Sequence, residues 1–372
     1  MQSLTLIHVV ASAEWTGPQR YAFDLCRYFK NQGWKVKVLT RDTKAVDRNF
    51  LDAGIDVRHA PLRDYPDYYS ARALAGLFKE MPESKGVVHV HRYNDALTCI
   101  LARKLAGRPD IRLVATRHKA ETGRDSMLRR IIYNGLDSHL FVSEFSKQKF
   151  YEGWSPGKSP LKEEKTEVTF NSLLDVPAEA PGEPDRGPVY AAYRGGLKSG
   201  KGLETLIEAL ALTGKSRFRL KIMGHGHPDY VDSLRQLAEA KGVADRIDWV
   251  RKSDFPVEEF SRIHFGVLPS DTPEAFGMAN LEFMAFGKPQ ISTFIGAQHE
   301  FLSPGEDSIE VPPSDAQALA EAMLRLAADV ELRQELGRNA FARYHDILAW
   351  PIFISKILPH YTGNHPQQLS NG

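Results

Sequence analysis

At 372 residues the chain is too long for one ordinary hydrophobic core, so two domains are expected. A composition of 42% hydrophobic and 26% charged residues excludes a disordered or membrane-spanning chain, and a formal net charge of +1 gives no reason for a nucleic-acid partner. Cys26 and Cys99 sit in apolar surroundings without metal-ligand spacing, the pattern of buried thiols in a reducing compartment. The N-terminal MQSLTLIHVVAS lacks a basic n-region and a cleavage site, and no apolar run approaches the ~20 residues that span a bilayer. A cytoplasmic protein is expected, with peripheral contact at the cytoplasmic face of the inner membrane left open.

In chain order, residues 4–10 form a short apolar run expected as a strand. Helical spacing of Tyr21, Leu25, Tyr28 and Phe29 predicts a helix over 20–31 closed by Gly33, and Val36, Val38 and Leu39 mark a strand over 35–40. The alternation recurs: strand 55–57, a helix around 69–79, strand 86–91, helix 95–106, then strands 111–116 and 139–143. Residues 156–188 are dense in proline, glycine, lysine and acidic residues, interrupted by a strand-like 167–171, and read as the linker region. The pattern then restarts with strands 189–193, 218–223, 247–250, 265–268 and 290–293 and helices 203–212, 229–240, the segment after Gly277, and 315–327. Strands alternating with helices imply parallel sheets with right-handed crossovers. The expected fold class is α/β, with two doubly wound Rossmann-like domains facing across a cleft. The first spans 1–170, a linker follows at 171–188, the second spans 189–342, and 343–372 supplies a helix returning to the first domain, then a tail.

Ligands of such sheets sit beyond the carboxyl ends of the strands, so the loops there hold the candidate residues. Loop 12–20 has one glycine rather than the three of a dinucleotide fingerprint. There Thr16 and Gly17 offer amides to a phosphate or an acceptor, although a plain strand-to-helix turn would also use Gly17 and Pro18. The loop Arg194-Gly195-Gly196-Leu197-Lys198-Ser199-Gly200-Lys201-Gly202 joins close backbone approach to positive charge. From Gly195 to Lys201 it nearly matches a P-loop, which fails at Gly202, where a hydroxyl should bind magnesium. A P-loop-like ATPase or kinase is therefore one rival reading.

His89 and His91 alternate on one strand face; without a third ligand nearby they read as satisfied strand-end residues, and so do His225 and His227 in their glycine-rich loop. No metal site is expected. His118, between Arg117 and Lys119 after the strand at 111–116, is a candidate site residue. The basic stretch 103–130 places Arg124, Arg129 and Arg130 beside Met127, Leu128, Ile131 and Ile132, a face suited to anionic lipid or lipopolysaccharide, or simply a solvated helix. The segment 271–289 reads DTPEAFGMANLEFMAFGKP. A helix starting just after Gly277 would present its free amides to an anion, with Glu282 in its second turn and Glu274 on the loop before it.

Here the chain resembles a known family, the retaining glycosyltransferases of family 4 with the two-Rossmann GT-B architecture. The resemblance is carried by the E-x7-E pair Glu274 and Glu282 with the trailing Ala285-Phe286-Gly287-Lys288-Pro289, and covers nearly the whole chain. Lys201-Gly202-Leu203, Met223-Gly224-His225-Gly226, Leu268-Pro269-Ser270, Val88-His89-Val90-His91, Thr116-Arg117-His118 and Val142-Ser143 are similar to the family's other strand ends.

The resemblance implies a metal-independent, retaining glycosyltransferase that moves a hexose-type sugar from a nucleoside-diphosphate sugar to a glycan, lipopolysaccharide or lipid-linked saccharide, in cell-envelope polysaccharide synthesis, with a catalytically inactive nucleotide-sugar-binding partner as the alternative. It implies that Glu282 accepts from ribose hydroxyls, Glu274 holds the donor sugar, and Lys201 neutralises the leaving diphosphate. Amides of Gly277, Met278, Ala279 and Asn280 would cradle diphosphate and sugar, and His118 would face the sugar from the N-terminal side. Base contacts are expected near Gly224 and 251–253. The chain departs from the family at the usual arginine, whose place is taken by Gly196 while Arg194 lies two residues earlier, and at Thr16-Gly17-Pro18, where a Gly-Gly pair is common.

Overall fold

The computed structural model describes residues 4–63, 67–83, 85–155, 157–183, 187–214, 218–250 and 257–363. Residues 251–253 and the last residues of the expected tail lie outside the described residues. Contacts divide the chain into a first unit, Met1–Leu174 with Trp350–Gly372, and a second, Asp175–Ala349.

In the first unit strands alternate with helices: β1 (Thr5–Val10), α1 (Gly17–Asn31), β2 (Lys35–Thr40), α2 (Lys44–Asp52), β3 (Asp56–His59), α3 (Tyr68–Lys79), β4 (Gly86–Val90), α4 (Tyr93–Ala106), β5 (Arg112–Arg117), α5 (Met127–Gly135), β6 (Ser138–Phe141), α6 (Glu144–Tyr151) and β7 (Thr166–Val168). The strands form one parallel sheet in the order β3-β2-β1-β4-β5-β6-β7. Runs such as Leu6–Val10 and Val87–Val90 are buried on both faces because helices cover both sides, and they are apolar except at His8 and His89. Helix starts follow local chemistry: Asp67 accepts from the amides of Tyr69 and Ser70, and Ser126 and Ser143 cap α5 and α6 through Arg129 and Ser146. The order reverses between β1 and β4, the switch point at which such sheets open for ligands, and the register there sets His8 beside His89.

The second unit repeats the plan with β8 (Tyr190–Arg194), α7 (Leu203–Leu212), β9 (Arg219–Met223), α8 (Pro228–Ala240), β10 (Ile247–Val250), α9 (Val257–Phe260), β11 (Phe265–Leu268), α10 (Met278–Ala285), β12 (Gln290–Ser292), β13 (Ser308–Glu310), α11 (Ala316–Ala328) and α12 (Val330–Ile347). Its parallel sheet runs β10-β9-β8-β11-β12-β13, so its switch point lies between β8 and β11.

The α/β class with two Rossmann-like units is as expected. Within 171–188, buried Lys288 donates to the carbonyls of Pro181 and Gly182 at 3.2 and 3.3 Å, and buried Arg333 grips Glu183 with bonds of 2.8 and 2.9 Å. Burial pushes the Lys288 ammonium down to about 8. In 343–372, α12 ends at Ile347 and α13 (Trp350–Thr362) follows. This last helix rejoins the first unit through Phe353, Ile354, Ile357 and Tyr361 in its core, with Arg112 donating to the His360 carbonyl at 2.9 Å.

Candidate functional site

The loops at the second unit's switch point assemble two ion pairs. Lys201 Nζ donates to Glu274 Oε1, which also accepts from Ser270 Oγ at 2.8 Å. Arg194, the last residue of β8, donates from Nε to Glu282 Oε2 at 2.9 Å. Glu282 is buried, whereas Glu274, Lys201 and Arg194 are half-buried. Glu274 is fixed by its backbone: its amide donates to the Ile295 carbonyl at 2.9 Å and its carbonyl accepts from Ala297 at 3.0 Å. The Lys201 loop is tied to the same region, because Gly200 O accepts from Thr272 Oγ1 at 2.8 Å and the Asp271 amide at 3.2 Å.

Between the pairs, α10 begins. Gly277 holds φ +98°, a left-handed conformation that glycine adopts without strain, and turns the chain from the Glu274 loop into the helix. The first bond inside the helix runs from the Leu281 amide to the Gly277 carbonyl, so the amides of Met278, Ala279 and Asn280 have no acceptor within it. Those amides and the positive end of the helix dipole form an anion-favouring surface flanked by Lys201 and Arg194. The Asn280 side chain also anchors the helix, donating to Gln290 Oε1 at 2.8 Å and so pinning α10 to β12.

Gly202 has φ +66°, and an added Cβ would overlap the Pro269 carbonyl. Gly202→Ala therefore costs about 1–3 kcal/mol from conformation alone and pushes Lys201 away from Glu274. Denaturant unfolding should show that loss of stability, and any turnover should fall with it; a variant as stable as the parent would mean that the loop is free to move.

Several sequence expectations change. At Gly224 the N–H donates to the Val250 carbonyl at 3.1 Å and the Cα faces the Gly195 carbonyl, leaving no room for a side chain, so the backbone group left for a base contact there is the carbonyl. The Thr16 amide and hydroxyl both donate to Gln19 Oε1, so neither is offered to a phosphate; Gly17, the first residue of α1, is the amide left without an acceptor in the helix. In the P-loop-like stretch the Gly195 and Leu197 amides are spent on the carbonyls of Met223 and His225, at 3.1 and 2.8 Å. A P-loop turns its amides inward onto phosphate, and this loop turns two of them onto its neighbour. Arg194 reaches Glu282, orienting the carboxylate expected to bind ribose.

In the first unit the switch point gathers histidines. His8 and His91 are 2.9 Å apart (Nδ1 to Nε2), His91 and His118 are 3.1 Å apart (Nδ1 to Nε2), and His89 bonds Thr116 Oγ1 at 2.7 Å and Tyr361 Oη at 2.6 Å. Burial pushes His8 and His118 down to about 3, and His89 and His91 well below their ordinary range, so all four rings are neutral near pH 7. In the sequence His89 and His91 stand as an isolated pair, and neither His8 nor Ser270 draws notice as a site residue. The signal for His8 is its place in IHVV, two apolar residues short of the end of β1.

Residues 179–343 match the family described as "Glycosyl transferases group 1", and residues 15–159 match "Glycosyltransferase Family 4". The chain is 25% identical over 310 residues to O-antigen chain mannosyltransferase C of Escherichia coli, covering 79% of each. It is 35% identical over 133 residues to an exopolysaccharide phosphotransferase of Streptomyces coelicolor, which is 36% of this chain and only 14% of that relative's length. Among solved structures it is similar in fold to Anabaena HepE in complex with UDP and glucose, with a TM-score of 0.77 at 16% identity over 99% of this chain and 100% of that one.

Proposed function

This chain belongs to the GT-B glycosyltransferases of group 1 and family 4, and we propose that it moves a hexose-type sugar from a nucleoside-diphosphate sugar to a glycan, lipopolysaccharide or lipid-linked saccharide acceptor, with retention and without a metal ion. The observation that carries this reading is the pair of ion pairs, Lys201 with Glu274 and Arg194 with Glu282, on either side of the open amides of α10. Breaking the sugar–phosphate bond adds negative charge to the leaving diphosphate. Lys201 and the amides of Met278, Ala279 and Asn280 stabilise that charge where a metal ion would otherwise act. Glu282 takes the ribose hydroxyls, Glu274 the hydroxyls of the sugar, and His118 touches the sugar during turnover.

Glu274 is already engaged by Lys201 and Ser270, which makes it a poor nucleophile for double displacement. The acceptor hydroxyl therefore attacks the anomeric carbon from the face the diphosphate leaves. The carbon–oxygen bond to phosphate breaks, that to the acceptor forms, and the acceptor's proton passes to a diphosphate oxygen. The relatives named for O-antigen and exopolysaccharide chemistry support a cell-envelope acceptor, and the neighbour holding UDP and glucose supports a nucleotide-sugar donor.

No helix among the described residues is long and apolar enough to cross a membrane. On α5, Met127, Leu128 and Ile131 are exposed beside Arg124, a face that would suit peripheral contact with an anionic membrane surface. Arg130 adds less than the sequence implied, because Asp125 neutralises it at 2.7 Å.

The test is a thermal-shift panel of nucleoside diphosphates and their sugars, with and without chelator. One nucleoside diphosphate is expected to stabilise the protein equally in both, and Glu282→Ala to abolish most of that shift. Stabilisation that needs magnesium, or that survives Glu282→Ala undiminished, would overturn the proposal.

A further inference from the structure

Three of the first unit's histidines form a chain, from His8 Nδ1 to His91 Nε2 and from His91 Nδ1 to His118 Nε2. At the inner end His8 Nε2 is buried with no partner among the described residues. At the outer end His118 is half-buried, and no described residue bonds its Nδ1. His89 is not a link, since Thr116 and Tyr361 take both its nitrogens.

The nitrogens of His8, His89 and His91 lie within 4.8 Å of one another, close enough to suggest a metal. The bonds argue otherwise: the His8 and His91 planes are within 6° of parallel and their nitrogens face each other at 2.9 Å, and both His89 nitrogens are taken by Thr116 and Tyr361. Lone pairs lie in the ring planes, so nitrogens spent on one another do not converge on one ion.

A neutral imidazole carries one N–H and one bare nitrogen. Each link of the chain needs one of each. Only two proton orders make both links: all three rings protonated at Nδ1, or all three at Nε2. A mixed order places two N–H groups or two lone pairs face to face. The character of His118 Nδ1, donor or acceptor, is thus tied through His91 to a buried atom two rings away. Orientation is constrained from the side as well, because Tyr21 packs edge-on against His89, His91 and His118 with ring centroids 6.0, 5.6 and 5.0 Å away.

We propose that His8 and His91 are positioning residues that hold His118 in one orientation and in the Nδ1-protonated tautomer, the order that leaves a lone pair rather than an unmet N–H at buried His8 Nε2, so that His118 Nδ1 offers the donor sugar a single hydrogen-bonding character. The inference rests on the sugar-contacting role of His118 proposed above. The test reads tautomers directly, by long-range proton–nitrogen correlation on the full chain labelled at histidine, at about pH 7. His8, His91 and His118 are expected in the same tautomer, each with one nitrogen fully protonated. In His8→Phe and His91→Phe the nitrogen shifts of His118 should average towards a mixture. With the nucleotide-sugar donor, kcat should fall about fivefold, the equivalent of one misaligned hydrogen bond, with little change in the donor KM. His91→Gln, whose amide both donates and accepts, should recover most of that loss, and His91→Phe should slow His118→Ala no further.

Mixed tautomers along the chain in the parent protein, or a His118 ring unmoved by both substitutions, would overturn the proposal; the parent spectrum decides the first point even if a variant fails to fold. Full turnover by His118→Ala beside a shared tautomer would instead remove the role at the sugar while the lock stands.

Discussion

Lys201→Ala is expected to lower kcat by about 10²–10³-fold, the usual effect of removing one preorganised partner of a developing anion. The ammonium sits against Glu274 at the open end of α10, so it is in place before the charge develops and needs no reorganisation. A nucleoside diphosphate bound in the ground state also feels Lys201, but it carries less charge at the bridging oxygen than the transition state does. The loss should therefore fall more on kcat than on the affinity for donor. Steady-state kinetics with the donor identified by the thermal-shift panel measures both, and Lys201→Arg should recover part of the rate. Removing the cation also leaves the half-buried Glu274 carboxylate relying on the Ser270 hydroxyl, so melting temperatures belong beside the rates. A Lys201→Ala enzyme that turns over at the parent rate would show that the diphosphate leaves without this cation.

Acid should unfold the first unit before the second. Histidines of an unfolded chain titrate near 6.5, whereas His8, His118 and His139 in the folded unit are pushed to about 3 and His89 and His91 well below the ordinary range, mainly by burial. Below 6.5 the unfolded state binds protons that the folded state refuses, so stability is lost as pH falls from about 6.5 towards 3. For fully buried His8 alone that amounts to about 2 kcal/mol by pH 5, and His89 and His139 act in the same direction. The second unit has one such ring among its described residues, His264, pushed to about 4. Brief proteolysis at fixed urea, resolved by the unit in which cleavage falls, should show the first unit opening as pH drops from about 6.5 to 5. An unchanged urea midpoint over that range would mean that the rings are not buried and neutral.

Much of the architecture is legible from periodicity. Short β-branched runs such as 86–90 and helical spacing such as that of Tyr21, Leu25 and Phe29 each report burial of a single element, and length with β-branched content separates the two classes. Polar elements escape that signal: α6 carries little apolar pattern, and the short β13 lies at the sheet edge beside β12. At 171–188 loop-like composition does not say whether the segment is gripped. The gripping groups, Lys288 and Arg333, come from more than 100 residues away, as the separations of 107, 106 and 150 show.

By itself the sequence determined the element types, the turn at Gly277 and the spacing that sets Glu274 and Glu282 on either side of the start of α10, because helix geometry and glycine's access to positive φ are local properties. Only the tertiary structure decided which cation meets which carboxylate, that the Gly224 and Thr16 amides are already spent, and that His8 completes a chain with His91 and His118. Those outcomes depend on strand order and register, which join residues such as His8 and His91, 83 positions apart, and no local pattern records them.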